Sequence, residues 1–289
     1  MNPRHYWYFL NFLPEIKPTL EFGTYLSVNV AKRRPIKRLL TRYEPGEGKA
    51  EVIDKPSQLS HLLFVASRGD LGRRNVAILW MLFGTGMRIN EVAQLTVADV
   101  IYPTGELKTC FVIPGSYTKT SKPRPAYIKV KQQREALAAW IKQRLEENAF
   151  PSEDDSYGGL RGDSPLFLSK KGQWRKFAFN VKRYETSNGI KETMVCASLE
   201  NTVREIIKKA GFRGGSSHSG RRSLATLMDR ENYDLELIQK ILGHEDKELT
   251  LEYIDPDIER IDAAFKKLWK NVELPQLNDS VLSNDTNHS

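Results

Sequence analysis

From Ser57 onward the apolar positions follow a helical period. Leu59, Leu62, Leu63 and Val65 lie on neighbouring faces, with Ser57 as the expected N-cap. Val76, Ala77, Ile78, Leu79, Trp80 and Leu82 make Arg73–Phe83 apolar nearly all round, which predicts a buried helix. Gly84-Thr85-Gly86 should end it, and a third helix should begin near Arg88 and carry Val92 and Leu95. Over Asp99–Lys129 the helical signal fades. The runs Val100-Ile101-Tyr102, Cys110-Phe111-Val112-Ile113 and Ala126-Tyr127-Ile128 are split by turn-forming residues and predict a small antiparallel sheet of two or three strands. A long amphipathic helix is expected over Gln132–Glu147, a polar loop over Pro151–Gly162, and a short strand or extended segment at Leu166-Phe167-Leu168. The remainder reads as helices over Leu199–Ala210, His218–Asn232, Leu235–Leu242, Leu249–Ile254 and Ile258–Trp269. The fold class is α+β, a mainly helical domain with a small antiparallel β-sheet.

Ahead of the regular pattern, Asn2 and Pro3 start a short helix that Pro14 stops. Lys32-Arg33-Arg34-Pro35-Ile36-Lys37-Arg38 forms a basic run, either a solvated linker or an arm for phosphates, and Glu44–Pro56 is rich in Gly, Pro and charge. These features divide the chain into a helical and basic N-terminal segment (1–54), a compact domain (55–270) and a tail (271–289). The tail holds three acids and no Lys or Arg, and is expected to be disordered.

Composition narrows the function classes only modestly. The chain has 289 residues, 44 Lys+Arg against 36 Asp+Glu and a formal net charge of +8, which suggests a polyanionic partner without proving one. Two cysteines, Cys110 and Cys196, suffice neither for a disulfide framework nor for a four-cysteine zinc site, and suggest a reducing cytoplasm. No apolar run approaches the roughly 18–20 residues that cross a bilayer, and Met1–Pro14 lacks the apolar core and cleavage site of a signal peptide. The five histidines show no metal spacing, and neither a phosphate-loop motif nor a GxSxG elbow is present. No cofactor is expected.

Three stretches remain: Gly84–Val92 around Arg88, His218–Thr226, and Leu242-Gly243-His244-Glu245 leading to Tyr253. Singly, each reads as ordinary helix-end chemistry or surface charge. Together, in this order, they resemble the tyrosine recombinase (phage integrase) family over about Lys55 to Trp269. Arg88 in Gly-x-Gly-Met-Arg-x-x-Glu resembles the family's first catalytic arginine, His218-x-x-Arg221 its second box, and Leu242-Gly243-His244 with Tyr253 its third box and nucleophile.

The resemblance implies DNA strand cleavage and rejoining through a covalent 3′-phosphotyrosine. Arg88 and Arg221 would hold the non-bridging oxygens of the phosphorane-like state with fixed, permanently charged forks. Tyr253 would attack; a phenol ordinarily titrates near 10, so it needs a base or a positive setting. His218 would exchange protons, and His244 would hydrogen-bond the phosphoryl group. The family's general acid is a lysine on a β-hairpin turn. Lys119 is the choice here and Lys122 the runner-up. Glu91, one turn from Arg88, would satisfy a backbone or arginine group, while Thr250 reads as packing or capping. Arg33, Arg34, Lys37, Arg38, Lys122, Arg124 and Arg222 are the expected DNA contacts.

The implied partners are double-stranded DNA attachment sites, a homotetramer on DNA and accessory DNA-bending proteins, with no membrane, in the cytoplasm at the nucleoid. The implied role is integration or excision of a mobile element. A type IB topoisomerase and a catalytically idle DNA-binding relative are the alternatives. The sequence departs from the family plan in two places. The 54 residues before Lys55 look short for the usual second clamp domain, and Arg161–Ala197 is long and Lys/Arg-rich.

Overall fold

A computed structural model describes residues 49–118, 121–186, 189–244, 250, 251, 253, 254, 263 and 267, all within the unit Glu44–Ser289. The helices expected over 2–14 and 258–269, the basic arm and the acidic tail lie outside the described residues, apart from 263 and 267. Pro56 takes the first turn of α1 (Pro56–Ala66), where its missing N–H costs nothing, so Lys55 and not Ser57 is the N-cap.

The all-apolar segment forms α2 (Gly72–Thr85), which buries Ala77, Ile78, Leu79, Met81, Leu82 and Phe83 and ends on Gly86 in the left-handed conformation. Two short helices follow, α3 (Ile89–Gln94) and α4 (Val97–Val100). The strand expected at Val100-Ile101-Tyr102 is absent: Thr96 and Asp99 cap each other's backbone N–H groups and close a helical turn instead. Only Ile101 keeps an extended partner, through an isolated bridge to Leu107.

The expected sheet is β1 (Cys110–Ile113) paired antiparallel with β2 (Arg124–Tyr127). Then comes α5 (Lys131–Glu146), whose Trp140 is fully buried and donates its indole N–H to the Leu166 carbonyl at 2.8 Å. Arg144 on the same helix reaches the Pro165 carbonyl at 2.9 Å, and Arg74 on α2 reaches the Leu168 carbonyl at 2.8 Å. Side chains thus occupy the carbonyls of Pro165, Leu166 and Leu168, and Leu166–Leu168 runs buried without strand pairing.

Two further hairpins, unforeseen from the sequence, fill the long basic stretch: β3 (Ser169–Lys171) with β4 (Gln173–Arg175), and β5 (Asn180–Thr186) with β6 (Gly189–Val195). The base of the second is tied to α3. The Asn90 amide donates to the Met194 carbonyl at 2.9 Å, and its oxygen accepts the Cys196 N–H at 2.9 Å. Three helices complete the described fold: α6 (Ala197–Lys209), α7 (His218–Arg230) and α8 (Leu235–Leu242).

The main core gathers around α2, which packs against α5 on one side and α7 on another. A smaller cluster of Ala225, Ile238 and Leu242 joins α7 to α8, with Tyr253 and Ile254 packed on it. Gly220 fixes the approach of α7 to α2. A Cβ there would stand 2.8 Å from the Leu82 backbone carbonyl, closer than backbone tolerates. The next residue is Arg221, so this contact sets the depth at which that arginine enters the interior.

Gly220→Ala pits two effects against each other. Helix propensity alone favours alanine by about 1 kcal/mol, but the clash with α2 backbone costs about 1–3 kcal/mol. The expected outcome is a net loss of stability, read as a lower midpoint in thermal unfolding; a rise would show that α2 and α7 do not touch here.

Candidate active site

The end of α2 and the start of α3 place Arg88. Its backbone N–H donates to Glu91 Oε2 at 2.8 Å and its Nη1 to Glu91 Oε1 at 3.0 Å, so the side chain is held across the first turn of the helix. Glu91 is almost wholly enclosed, and Arg124 Nη2 donates to its Oε2 at 2.6 Å. Burial alone would push the Glu91 carboxyl up, but Arg124 and then Arg88 hold it below its ordinary value. It stays an anion between two guanidiniums.

Arg221 enters from the first turn of α7 and is 1% exposed. Its Nη1 donates to the Gly86 carbonyl at 2.6 Å and its Nη2 to the Leu242 carbonyl. Both acceptors are helix ends, where carbonyls lack partners in their own helix and carry partial negative charge. Burial first, then Arg88 and Arg124, lowers this guanidinium to about 9, so it remains a cation at neutral pH.

α8 stops at Gly243, in the left-handed conformation with φ 62°, and turns His244 inward. His244 Nδ1 lies 2.9 Å from the Thr250 hydroxyl, while its buried Nε2 has no hydrogen-bond partner among the described residues. Burial, then Arg221, Arg88 and Arg124, pushes its pKa down to about 3, so the ring is neutral at physiological pH. A neutral imidazole carries one N–H. In the tautomer whose Nδ1 accepts from the Thr250 hydroxyl, Nε2 carries the N–H and is left to donate to an anion that the arginines attract.

Tyr253 closes the group. Its ring centroid lies 4.9 Å from that of His244 and 5.4 Å from the Arg221 guanidinium carbon. Arg88, Arg221, His244 and Tyr253 thus come from separate parts of the chain into one connected cluster. His218 is exposed at the first residue of α7, one turn from Arg221. Lys119 lies outside the described residues, as do Arg33, Arg34, Lys37 and Arg38. Lys122 is exposed on the same turn, with its carbonyl accepting the Thr118 hydroxyl at 3.0 Å.

Two of the expected DNA contacts are buried and bonded within the protein. Arg124 is 6% exposed, with one nitrogen on Glu91 and another on the Ile241 carbonyl at 3.0 Å. Arg222 is 5% exposed and donates to the Ala50 carbonyl. Turning either side chain to a phosphate would break these bonds, at a cost of the order of 1–3 kcal/mol each. Thr250, read from the sequence as packing or capping, bonds the His244 ring through its hydroxyl, a contact that sequence reasoning missed. Its position three residues before Tyr253, on the same helical face, was the available signal.

Residues 55–260 match the family model described as "Phage integrase family". A tyrosine recombinase XerC of Pediococcus pentosaceus is 26% identical over 197 residues, covering 68% of this chain and 54% of that protein. One of Escherichia coli is 30% identical over 208 residues, covering 72% and 57%. The chain therefore spans little more than half the length of these relatives. The XerA recombinase structure is similar at a TM-score of 0.52 and 21% identity, covering 76% of this chain and 66% of that one. The XerH site-specific recombinase bound to its palindromic difH substrate, in a post-cleavage complex, is similar at 0.53 and 24%, covering 78% and 55%.

The buried neutral histidine makes stability depend on pH. The unfolded chain takes up a proton at His244 below about 6.5, whereas the native site resists protonation down to about 3. Stability should therefore fall as pH drops through that window, by up to about 1.4 kcal/mol per unit from this group. Unfolding midpoints measured from pH 7 to 4 should fall less steeply for His244→Gln; an unchanged slope would show that His244 is accessible to protons in the native state.

Proposed function

Because the chain belongs to the phage integrase family, we propose that it is a site-specific DNA recombinase that breaks and rejoins strands through a 3′-phosphotyrosine at Tyr253. The observation that carries the reading is the contact of the Tyr253 ring with both His244 and Arg221, beside Arg88. In the reaction, the Tyr253 oxygen forms a bond to phosphorus and the bond from phosphorus to the 5′-oxygen breaks. The phenolic proton passes to a base, for which His218, exposed one turn before Arg221, is the candidate. The departing 5′-oxygen takes a proton from Lys119, with Lys122 as the alternative donor on the same turn.

Arg88, Arg221 and the Nε2–H of His244 stabilise the charge that builds on the non-bridging oxygens. The phosphotyrosine conserves the energy of the phosphodiester, so a hydroxyl of the partner strand reverses the step with no net hydrolysis. The substrate is double-stranded DNA carrying attachment sites. Exchange between duplexes needs several copies of the chain, which we assign to a homotetramer with accessory DNA-bending proteins at the nucleoid. The biological role is integration or excision of a mobile element. In this reading 55–270 is the catalytic domain, 1–54 an arm whose Arg33, Arg34, Lys37 and Arg38 lie along phosphates, and 271–289 a tail off the DNA.

A nicked duplex, its sequence obtained by binding selection from a randomised library, tests the reading because the short product diffuses away and traps the adduct. The wild-type chain should form a denaturation-resistant DNA adduct that Tyr253→Phe lacks while binding DNA normally. Adduct absent from the wild type favours the idle relative, and site-independent relaxation of plasmid by a monomer favours a topoisomerase.

Arg221→Lys keeps the charge but cannot bridge the Gly86 and Leu242 carbonyls as a fork. Its adduct formation should slow by roughly 10²–10³-fold at unchanged DNA affinity; a rate close to wild type would remove Arg221 from the chemistry.

A further inference from the structure

Arg124 touches both flanks of the cluster. Its Nη2 is 2.6 Å from Glu91 Oε2, the carboxylate that also holds Arg88. Its Nη1 is 3.0 Å from the Ile241 carbonyl, in the last turn of α8 before Gly243 and His244. Its aliphatic stem lies against Gly243, where an added Cβ would stand 2.2 Å from Arg124 Cδ. Arg221 grips the next carbonyl, Leu242, and on its other side the Gly86 carbonyl just ahead of Arg88. The two arginines therefore link the same two chain segments in parallel, one through Glu91 after Arg88 and the other through Gly86 before it.

We propose that Arg124 is a positioning residue for strand cleavage: it sets the distance between Arg88 on α3 and His244 after α8, and it fastens the β1–β2 hairpin to both. This proposal rests on the recombinase reading above. Arg124 sits opposite Ile113 at the end of the β1–β2 ladder, so the turn between these strands, which carries Lys119 and Lys122, leaves the sheet beside it. An arginine suits the task because its planar fork serves two acceptors in different directions, whereas lysine presents a point charge on a flexible stem. What separates Arg124 from Arg221 is the partner: Arg124 is paired with the Glu91 carboxylate, which takes up its charge, whereas the terminal nitrogens of Arg221 meet neutral carbonyls and its charge is left for phosphate.

The test uses the full chain and the selected nicked duplex, with Arg124→Lys and Arg124→Gln. Three quantities are read: DNA affinity with its salt dependence, the first-order rate of Tyr253 adduct formation, and the unfolding midpoint. Both variants should bind with unchanged affinity and salt slope, and form adduct about 10²-fold more slowly at temperatures where they are fully folded. Arg124→Lys should recover little of the rate, because charge without the fork does not restore the geometry.

A wild-type rate in folded Arg124→Lys overturns the assignment. So does a loss confined to affinity, with the salt slope reduced by about one, which marks a direct phosphate contact. Loss of the fold in both variants makes Arg124 a stability residue and also overturns it. A wild-type chain that forms no adduct defeats the recombinase reading itself, whereas adduct from the wild type with unaltered variants defeats only the role of Arg124.

Discussion

The carboxylate of Glu91 is the one buried anion in a cluster that contains Arg88, Arg124 and Arg221 among its described residues. Burying an ion from water costs several kcal/mol unless it is paired and hydrogen-bonded. Glu91 meets that condition: its oxygens accept from the Arg88 backbone, the Arg88 side chain and Arg124. Through it two guanidiniums that would otherwise repel each other share one counter-ion. The turn of α3, the hairpin end at Arg124 and the last turn of α8 are thereby linked.

Arg221 is held on a different principle. Its terminal nitrogens meet the Gly86 and Leu242 carbonyls and no carboxylate. Neutral acceptors at two helix ends take a hydrogen bond from each terminal nitrogen without cancelling its charge. Three guanidiniums against one carboxylate leave the cluster positive, and the protein has confined that surplus to a largely dry site. There a charge interacts more strongly than in water. Keeping it requires rigid packing, which the close approach at Gly220 supplies by fixing α7 against α2.

What the sequence revealed tracks which signals are local. The apolar run of α2, the helix of α8 and the order of the three motifs are patterns along the chain, and they were readable. The helical turn at Val97–Val100 was hidden because a β-branched run looks extended, whereas the Thr96 and Asp99 caps decided the outcome. The hairpins from Ser169 to Val195 were hidden because the strands of the first are only 3 residues long and those of the second are exposed and interleaved with charge, so neither has a strong apolar alternation. Arg124 reads as a DNA contact in the sequence because it follows a lysine- and proline-containing turn, and its burial was not legible there. Its burial comes from register: on β2 it alternates with exposed Pro125 and shares the inward face with Ala126. That alternation was in the sequence, but a charged residue on an inward face is only interpretable once its partner Glu91, 33 positions away, is known.

The same positive field that attracts an anion also determines the state of His244. Arg221, Arg88 and Arg124 add to burial in keeping its ring unprotonated, and Thr250 takes Nδ1. A charged imidazolium would add to the attraction for phosphate but would repel the three guanidiniums in a site where water screens little. A neutral ring gives up that charge, and in the tautomer with its proton on Nε2 it keeps a donor whose direction does not depend on pH across the physiological range. The arginines supply the charge, and the histidine supplies the direction. The glycine turn at Gly243 lets both converge on the ring of Tyr253.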